Sequence, residues 1–350
     1  MTTARDIPMS DLLHAAKTLL GAPVRGASPD ARFVEAGDEL AVVVDDASQR
    51  IGAALARAAE EIDARATVVV LERPEDKPIK VLAPDVHDAL VKARTAVVAT
   101  RCPNAERSMR EQLAAVVKAC GIRHARLADI TEHAFARGLR LDQRVVCEAG
   151  RAMEQRLALA RAIDVESSAG TRLRIGVTPG GWVERLGEVA PGVAVGFPAG
   201  ALYTLPDSVE GIFVADASLG EFFGAREGSL RDKPVRFEIR AGKVVSVHAP
   251  SSPALEADVR ATLGFADGSD RVGLVVIGVN GGIEEPSGDA AVDQNLPGLH
   301  LGIGDAGGRM TTAVSCKART AFAACQATSR VTIDGQIVVE GGKLVDAGIR

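Results

Sequence analysis

Between Glu39 and Cys120 the chain repeats one pattern: a short continuous apolar run, then a stretch with apolar residues at helical spacing. Glu39-Leu-Ala-Val-Val-Val-Asp45 reads as a buried strand, and Ile51–Ile62 returns its apolar residues every three or four positions. Thr67–Leu71 and Thr95–Thr100 read as a second and a third strand, separated by a short helix over Asp85–Ala93. Glu106–Cys120 is amphipathic and is closed by Gly121, the residue best suited to the left-handed turn that ends a helix. A strand without polar alternation needs cover on both faces, and helices between successive strands supply it. The segment is therefore expected to form a parallel sheet of Rossmann or flavodoxin type. A short apolar helix around Leu12–Leu20 precedes it within a polar N-terminal stretch.

Ligands of such sheets sit at the carboxyl ends of the strands, where a glycine-rich turn admits a phosphate. Here the loop after the first strand is Asp45-Asp46-Ala47-Ser48-Gln49-Arg50, without Gly-x-Gly-x-x-Gly, and its two carboxylates would repel a pyrophosphate. Nucleotide binding is not expected. Asp142–Ile163 reads as one long helix leading out of this domain. Beyond it Gly, Pro and Val become frequent, and strands are predicted over Thr171–Val177, Val209–Ala217, Pro234–Arg240 and Lys243–Val247. Hairpin turns are predicted at Ala241-Gly242-Lys243 and Asp334-Gly335, and a loop at Ser251-Ser252-Pro253 leads into a helix over Ala254–Leu263. The expected class is α/β. Residues 1–38 form an N-terminal segment, 39–165 a Rossmann-like parallel domain, and 166–350 a strand-rich α+β domain.

Composition removes several functions. A net charge of -5 gives no basic stripe, and aromatic residues at 3% offer few stacking platforms, so no nucleic-acid partner is expected. No apolar run approaches the ~20 residues of a membrane span, and Met1-Thr2-Thr3-Ala4-Arg5-Asp6 lacks the apolar core of a signal peptide. A cytoplasmic protein without a membrane partner is expected. Cys102, Cys120, Cys147, Cys316 and Cys325 are odd in number and contain no Cys-x-x-Cys, so they read as core-filling thiols.

Several segments together resemble the aminopeptidase T/S metallopeptidases and the related 2,5-dihydroxypyridine dioxygenases, from about Glu39 onward. Gly196-Phe-Pro-Ala-Gly-Ala201-Leu-Tyr203-Thr-Leu-Pro206 resembles their Pro-x-Gly-Glu-Val-Phe-Thr-Ala-Pro run. The likeness continues in Asp129-Ile-Thr-Glu-His-Ala-Phe-Ala136, Ser168-Ala-Gly-Thr171-Arg-Leu173, Asp207-Ser-Val-Glu-Gly211-Ile-Phe-Val-Ala-Asp216 and Val331-Thr-Ile-Asp-Gly335. In the peptidases two Glu, two His and an Asp hold the metals, and a catalytic metal needs at least three such donors plus an open position for water. Against that pattern Ala201 stands for the first Glu and Leu274 for the second. The His-x-Asp pair falls near Ala321 and Ala323, and only His300 keeps a family ligand. The resemblance thus implies a metal site whose donors have become aliphatic.

The expectation that follows is a metal-free, non-proteolytic peptide-binding protein with no cofactor and no catalytic residues. Trp182, Arg185, Tyr203 and His300 are its candidate ligand-contacting residues, because they fall in segments that line the family's cleft. The edge of a nearby strand could pair with an extended peptide. Holding a precursor for a modifying enzyme in a ribosomal peptide natural-product pathway is one setting. The resemblance also implies a homodimer formed through the strand-rich domain. The alternative is a metal-dependent hydrolase or ring-cleaving oxygenase with its site relocated around His300, Glu284, Glu285 and Asp289. A Cys325–His300 nucleophile and base couple is a weaker variant of it, since no third group is visible.

Overall fold

The computed structural model describes residues 7–71, 78–101, 104–305 and 320–345. The chain divides into two compact units, Met1–Arg144 with Gly187–Ala199 and Val145–Leu186 with Gly200–Arg350.

The first unit contains the expected parallel sheet. Its strands are β1 (Glu39–Val44), β2 (Arg65–Val70), β3 (Thr95–Thr100) and β4 (Arg123–Ala128), joined by a late strand, β8 (Ala194–Gly196), in the order β2-β1-β3-β4-β8. Every pairing is parallel. The helices are α1 (Met9–Leu20), α2 (Gln49–Glu60), α3 (Pro84–Lys92), α4 (Arg107–Ala119) and α5 (Glu132–Gly138). Ala41, Val43, Ala96 and Val98 pack with Leu90, Met109 and Leu113 of α3 and α4. On α2, Gly52 makes room for the first strand, since a Cβ there would lie 2.8 Å from Val44 Cγ1. The edge strand β2 departs from the expectation of full cover: Val68 and Val70 are 43% and 42% exposed. Its apolar run reflects β-propensity as much as burial.

This strand order reverses direction between β1 and β3, the place where doubly wound sheets take their ligands. Asp45 fills it. Its Oδ1 accepts from the N–H of Ala47 and of Ser48 (both 3.1 Å) and from Ser48 Oγ (2.9 Å). Its Oδ2 accepts from the N–H of Arg101 at 2.6 Å. These donors at the start of α2 and the end of β3 are the kind that would otherwise face an anion.

The second unit begins within α6 (Gln143–Leu157). This helix stops at Leu157 rather than running to Ile163. Residues Ala162–Glu166 form β5, with Ile163 and Val165 buried and their neighbours partly open, a period of two that a helix cannot satisfy. The two compact units divide at 144/145, within this helix. The segment Gly187–Ala199 returns to the first unit because β8 pairs with β4. Strands β6 (Arg172–Val177), β7 (Val183–Arg185), β9 (Ala201–Thr204), β10 (Pro206–Ala215) and β11 (Ser218–Leu219) precede α7 (Glu221–Glu227). Then come β12 (Val235–Arg240), β13 (Lys243–His248), α8 (Pro253–Leu263), β14 (Val272–Gly278), α9 (Ala290–Asp293) and β15 (Gly298–Gly304). The chain closes with β16 (Ala321–Cys325), β17 (Arg330–Ile333), β18 (Gln336–Glu340) and β19 (Lys343–Leu344).

These strands build two antiparallel sheets, β13-β12-β10-β6-β5-β17-β18-β19 and β11-β16-β15-β14-β9-β7. Ile175, Phe213 and Phe237 of the first meet Leu202, Val275, Ile277 and Leu301 of the second in one apolar core. Both predicted hairpin turns have two successive residues at positive φ, Ala241 (48°) with Gly242 (71°) and Asp334 (46°) with Gly335 (88°). That is the type I′ geometry matching the strand twist. Of the cysteines, Cys147 and Cys325 are buried as expected, Cys120 is exposed, and Cys102 and Cys316 lie outside the described residues.

Asp45→Ala is expected to lower the unfolding free energy by about 1–3 kcal/mol, because it leaves the buried N–H of Ser48 and the part-buried N–H groups of Ala47 and Arg101 without this acceptor. Urea denaturation of the variant checks this; a loss below ~0.5 kcal/mol would show that water replaces the carboxylate without cost.

Candidate functional site

One face of the six-stranded sheet belongs to the main core. The other collects the positions singled out in the sequence. Tyr203 pairs with Val276 and Val276 with His300, while Leu274 pairs with Gly302 and Gly302 with Ala323. Ala201 pairs with Gly278 and with Arg185, Val183 pairs with Tyr203, and Ala321 pairs with Gly304. Paired residues point to the same side of a sheet, and so do residues two apart. Ala201, Leu274, Ala321, Ala323, His300, Tyr203 and Arg185 therefore share one face.

Among the described residues, that face does not bring together the donors a cation needs. Ala201, Tyr203, Leu274 and Val276 are buried and form an apolar cluster, with Val183 and Leu205 packed on it. Methyl and branched alkyl groups carry no lone pairs, so Ala201, Leu274 and Val276 do not fit a metal ion.

His300 has 0% exposure, and the backbone takes both of its nitrogens. The N–H of Gln326 donates to Nδ1 (3.3 Å), which places the ring proton on Nε2, and Nε2 donates to the carbonyl of Leu296 (2.9 Å). Burial pulls its pKa down to about 4, only partly opposed by the bond to Leu296, so the ring is neutral at pH 7. In this arrangement it presents no lone pair to a metal and no acceptor to the buried thiol of Cys325.

The acidic loop considered as a relocated site is instead a folded lid on the same face. Asp293 is buried and accepts from the N–H and Oγ of Ser287 (both 2.7 Å) and from the N–H of Gly288 (3.1 Å). Its desolvation raises the carboxyl above the ordinary range against the pull of those bonds. Asp289 Oδ1 accepts from Ala291 N–H at 2.9 Å and so caps α9. The chain then crosses directly over β14: a Cβ on Gly278 would lie 2.0 Å from the carbonyl oxygen of Leu296. Glu284 and Glu285 remain on the surface. Among the described residues, no three His, Cys, Asp or Glu side chains converge as metal ligands.

The two aromatics separate. The Arg185 guanidinium lies over the Tyr203 ring, 5.6 Å from its centre, a cation–π contact. Trp182 packs against the main core, and its indole N–H meets no partner among the described residues. Arg185 is exposed and Tyr203 is buried.

Sequence reasoning passed over Gln326, around which residues of the quoted motifs assemble. Its Nε2 donates to the Leu299 carbonyl (2.6 Å), and its Oε1 accepts from Thr171 Oγ1 (3.2 Å). Thr171 Oγ1 in turn accepts from Val214 N–H (3.0 Å), and Asp216 Oδ1 accepts from Ala327 N–H (2.6 Å). The available signal was positional: Gln326 is the polar residue that ends the apolar run of β16.

Among solved structures, 2,5-dihydroxypyridine dioxygenase from Pseudomonas putida KT2440 superposes with a TM-score of 0.63 at 17% identity, over 97% of this chain and 98% of that one. The aminopeptidase AmpT from Thermus thermophilus superposes with a TM-score of 0.57 at 15% identity, over 96% and 99%. This chain shares their fold. At such identities the likeness reaches the fold alone. No family model matches the sequence, and no curated protein does. Among the described residues, no helix is long and apolar enough to cross a membrane.

The burial of neutral His300 has a pH signature. Its folded pKa lies below the unfolded value of 6.5, so its contribution is complete above pH 6.5. It is lost as pH falls toward 4, because only the unfolded chain then takes up the proton. Between pH 7 and 4.5 the wild type should lose about 2–3 kcal/mol more stability than His300→Gln. Parallel stability–pH curves for the two proteins, by urea titration, would contradict this assignment.

Proposed function

We propose that this chain binds peptides without cutting them and works without a metal ion. The observation that carries the reading is the packed cluster of Ala201, Tyr203, Leu274 and Val276 where the resemblance places metal ligands. Its fold is that of a peptidase and an oxygenase, but the chemistry of both names depends on groups these side chains do not supply. What the fold retains is a strand edge. β7 is the outermost strand of the six-stranded sheet, so an extended peptide can add to it by backbone pairing. Arg185 on β7, held over Tyr203, supplies a cation for an acidic side chain or a terminal carboxylate. A peptide held intact suits delivery to a modifying enzyme, as in the making of ribosomal peptide natural products. We also propose a homodimer, the commonest closed assembly.

Protein purified without chelator should contain no stoichiometric divalent metal, and aminoacyl chromogenic substrates should stay intact with added zinc or manganese. One equivalent of tightly held metal would overturn the reading. Against a peptide library, Arg185→Ala should weaken binding about tenfold or more at unchanged melting temperature. Trp182→Ala should lower the melting temperature and leave the affinity of the folded protein intact. Binding that ignores Arg185 would move the site away from β7. Sedimentation at micromolar concentration should give twice the chain mass, and a monomer would refute the dimer.

A further inference from the structure

Inside the first unit, between the β3–β4 side of the sheet and α4, lies a cavity of about 120 Å³, partly open to solvent. Its walls are apolar, Val98 from the sheet and Met109 and Leu113 from the helix among them. Four polar side chains interrupt them: Thr100 from β3, His124 and Arg126 from β4, and Arg110 from α4.

His124 is the unusual member. It is 3% exposed, and neither ring nitrogen meets a hydrogen-bond partner among the described residues. A buried polar group left unpaired is costly, and native structures rarely tolerate one without a reason. Burial, with the charge of Arg126 adding to it, holds its pKa down at about 4. At neutral pH the ring therefore offers one N–H donor and one lone pair, and a neutral group is its natural complement. Arg126 lies two residues along the same strand, so the two side chains leave the same face about 6.5–7 Å apart. A single six-membered ring with substituents at opposite ends has that reach. At about 120 Å³ the cavity is smaller than the ~150 Å³ that encloses one benzene, so a ring-sized body fits by extending through its open side.

We propose that this cavity binds a compact carboxylic acid: an apolar body of one ring or a short branched chain, a hydroxyl or similar neutral group bonded to His124, and the carboxylate held by Arg126 and Arg110. The site lies wholly within the parallel-sheet unit and does not depend on the peptide-binding reading.

Calorimetric titration of the full chain with 4-hydroxybenzoate, benzoate and phenol separates the contributions. 4-Hydroxybenzoate should bind best, and benzoate and phenol about tenfold more weakly, each lacking one polar contact. In His124→Leu the advantage over benzoate should vanish, and in Arg126→Gln the advantage over phenol. His124→Leu should melt no lower than the wild type, because it replaces an unpaired polar ring by an apolar side chain. No binding of any probe at millimolar concentration, preferences unchanged by the substitutions, or a lower melting temperature for His124→Leu would each overturn the proposal.

Discussion

An amide side chain buried between two sheets must have both its oxygen and its nitrogen bonded, and Gln326 meets that demand from three directions. Thr171 at the start of β6, Leu299 on β15 and its own backbone bond to His300 converge on it. Each such bond is worth only about 1 kcal/mol net, but breaking one leaves a buried group unpaired at a cost of ~1–3 kcal/mol. The members therefore hold one another in place. The position of β16 against β15, and with it the whole face carrying Ala201 and Leu274, follows from this network.

The same network gives His300 a structural role on this face. A ring that donates to one backbone carbonyl and accepts from one backbone N–H is a structural rivet, and Ala or Leu there would strand both partners. Ala201, Leu274 and Ala323 have no such obligation. They line a surface where Gly278 lets the chain cross closely and Gly302 makes room for the Leu274 side chain, and apolar contacts stabilise it. His300 thus stands where the backbone needs a polar side chain.

Much of this was legible in the sequence, and the exceptions have physical causes. Strands β1 and β3 announced themselves because every side chain in them is apolar or fits a buried position. β4 did not, since Arg123, His124 and Arg126 break its apolar run, although Arg123 is buried against Asp38 through a 2.7 Å ion pair. β8 is three residues long and joins its sheet from some 65 residues away, beyond the reach of any local pattern. The end of α6 was missed because Ala158–Ala160 is as helix-compatible as what precedes it, and only the pairing of β5 decides. The resemblance implied that Ala201, Leu274, Ala323 and His300 lie together, and strand register puts them on one face. Nothing local could tell that Trp182 and Tyr203 pack into different clusters, because that depends on strand register.

The carboxylate of Asp45 gives the parallel-sheet unit a further property. Tethered by its own backbone to the crevice between β1 and β3, it is a resident competitor for the donors that an incoming phosphate would have to use. An intramolecular group acts at an effective concentration of the order of millimolar or more, and it never diffuses away. Any anionic metabolite would have to outcompete it and also bear the repulsion of the displaced charge. Selectivity against nucleotides is thereby built into a single side chain, leaving the surrounding loops free to vary in charge without reopening the crevice.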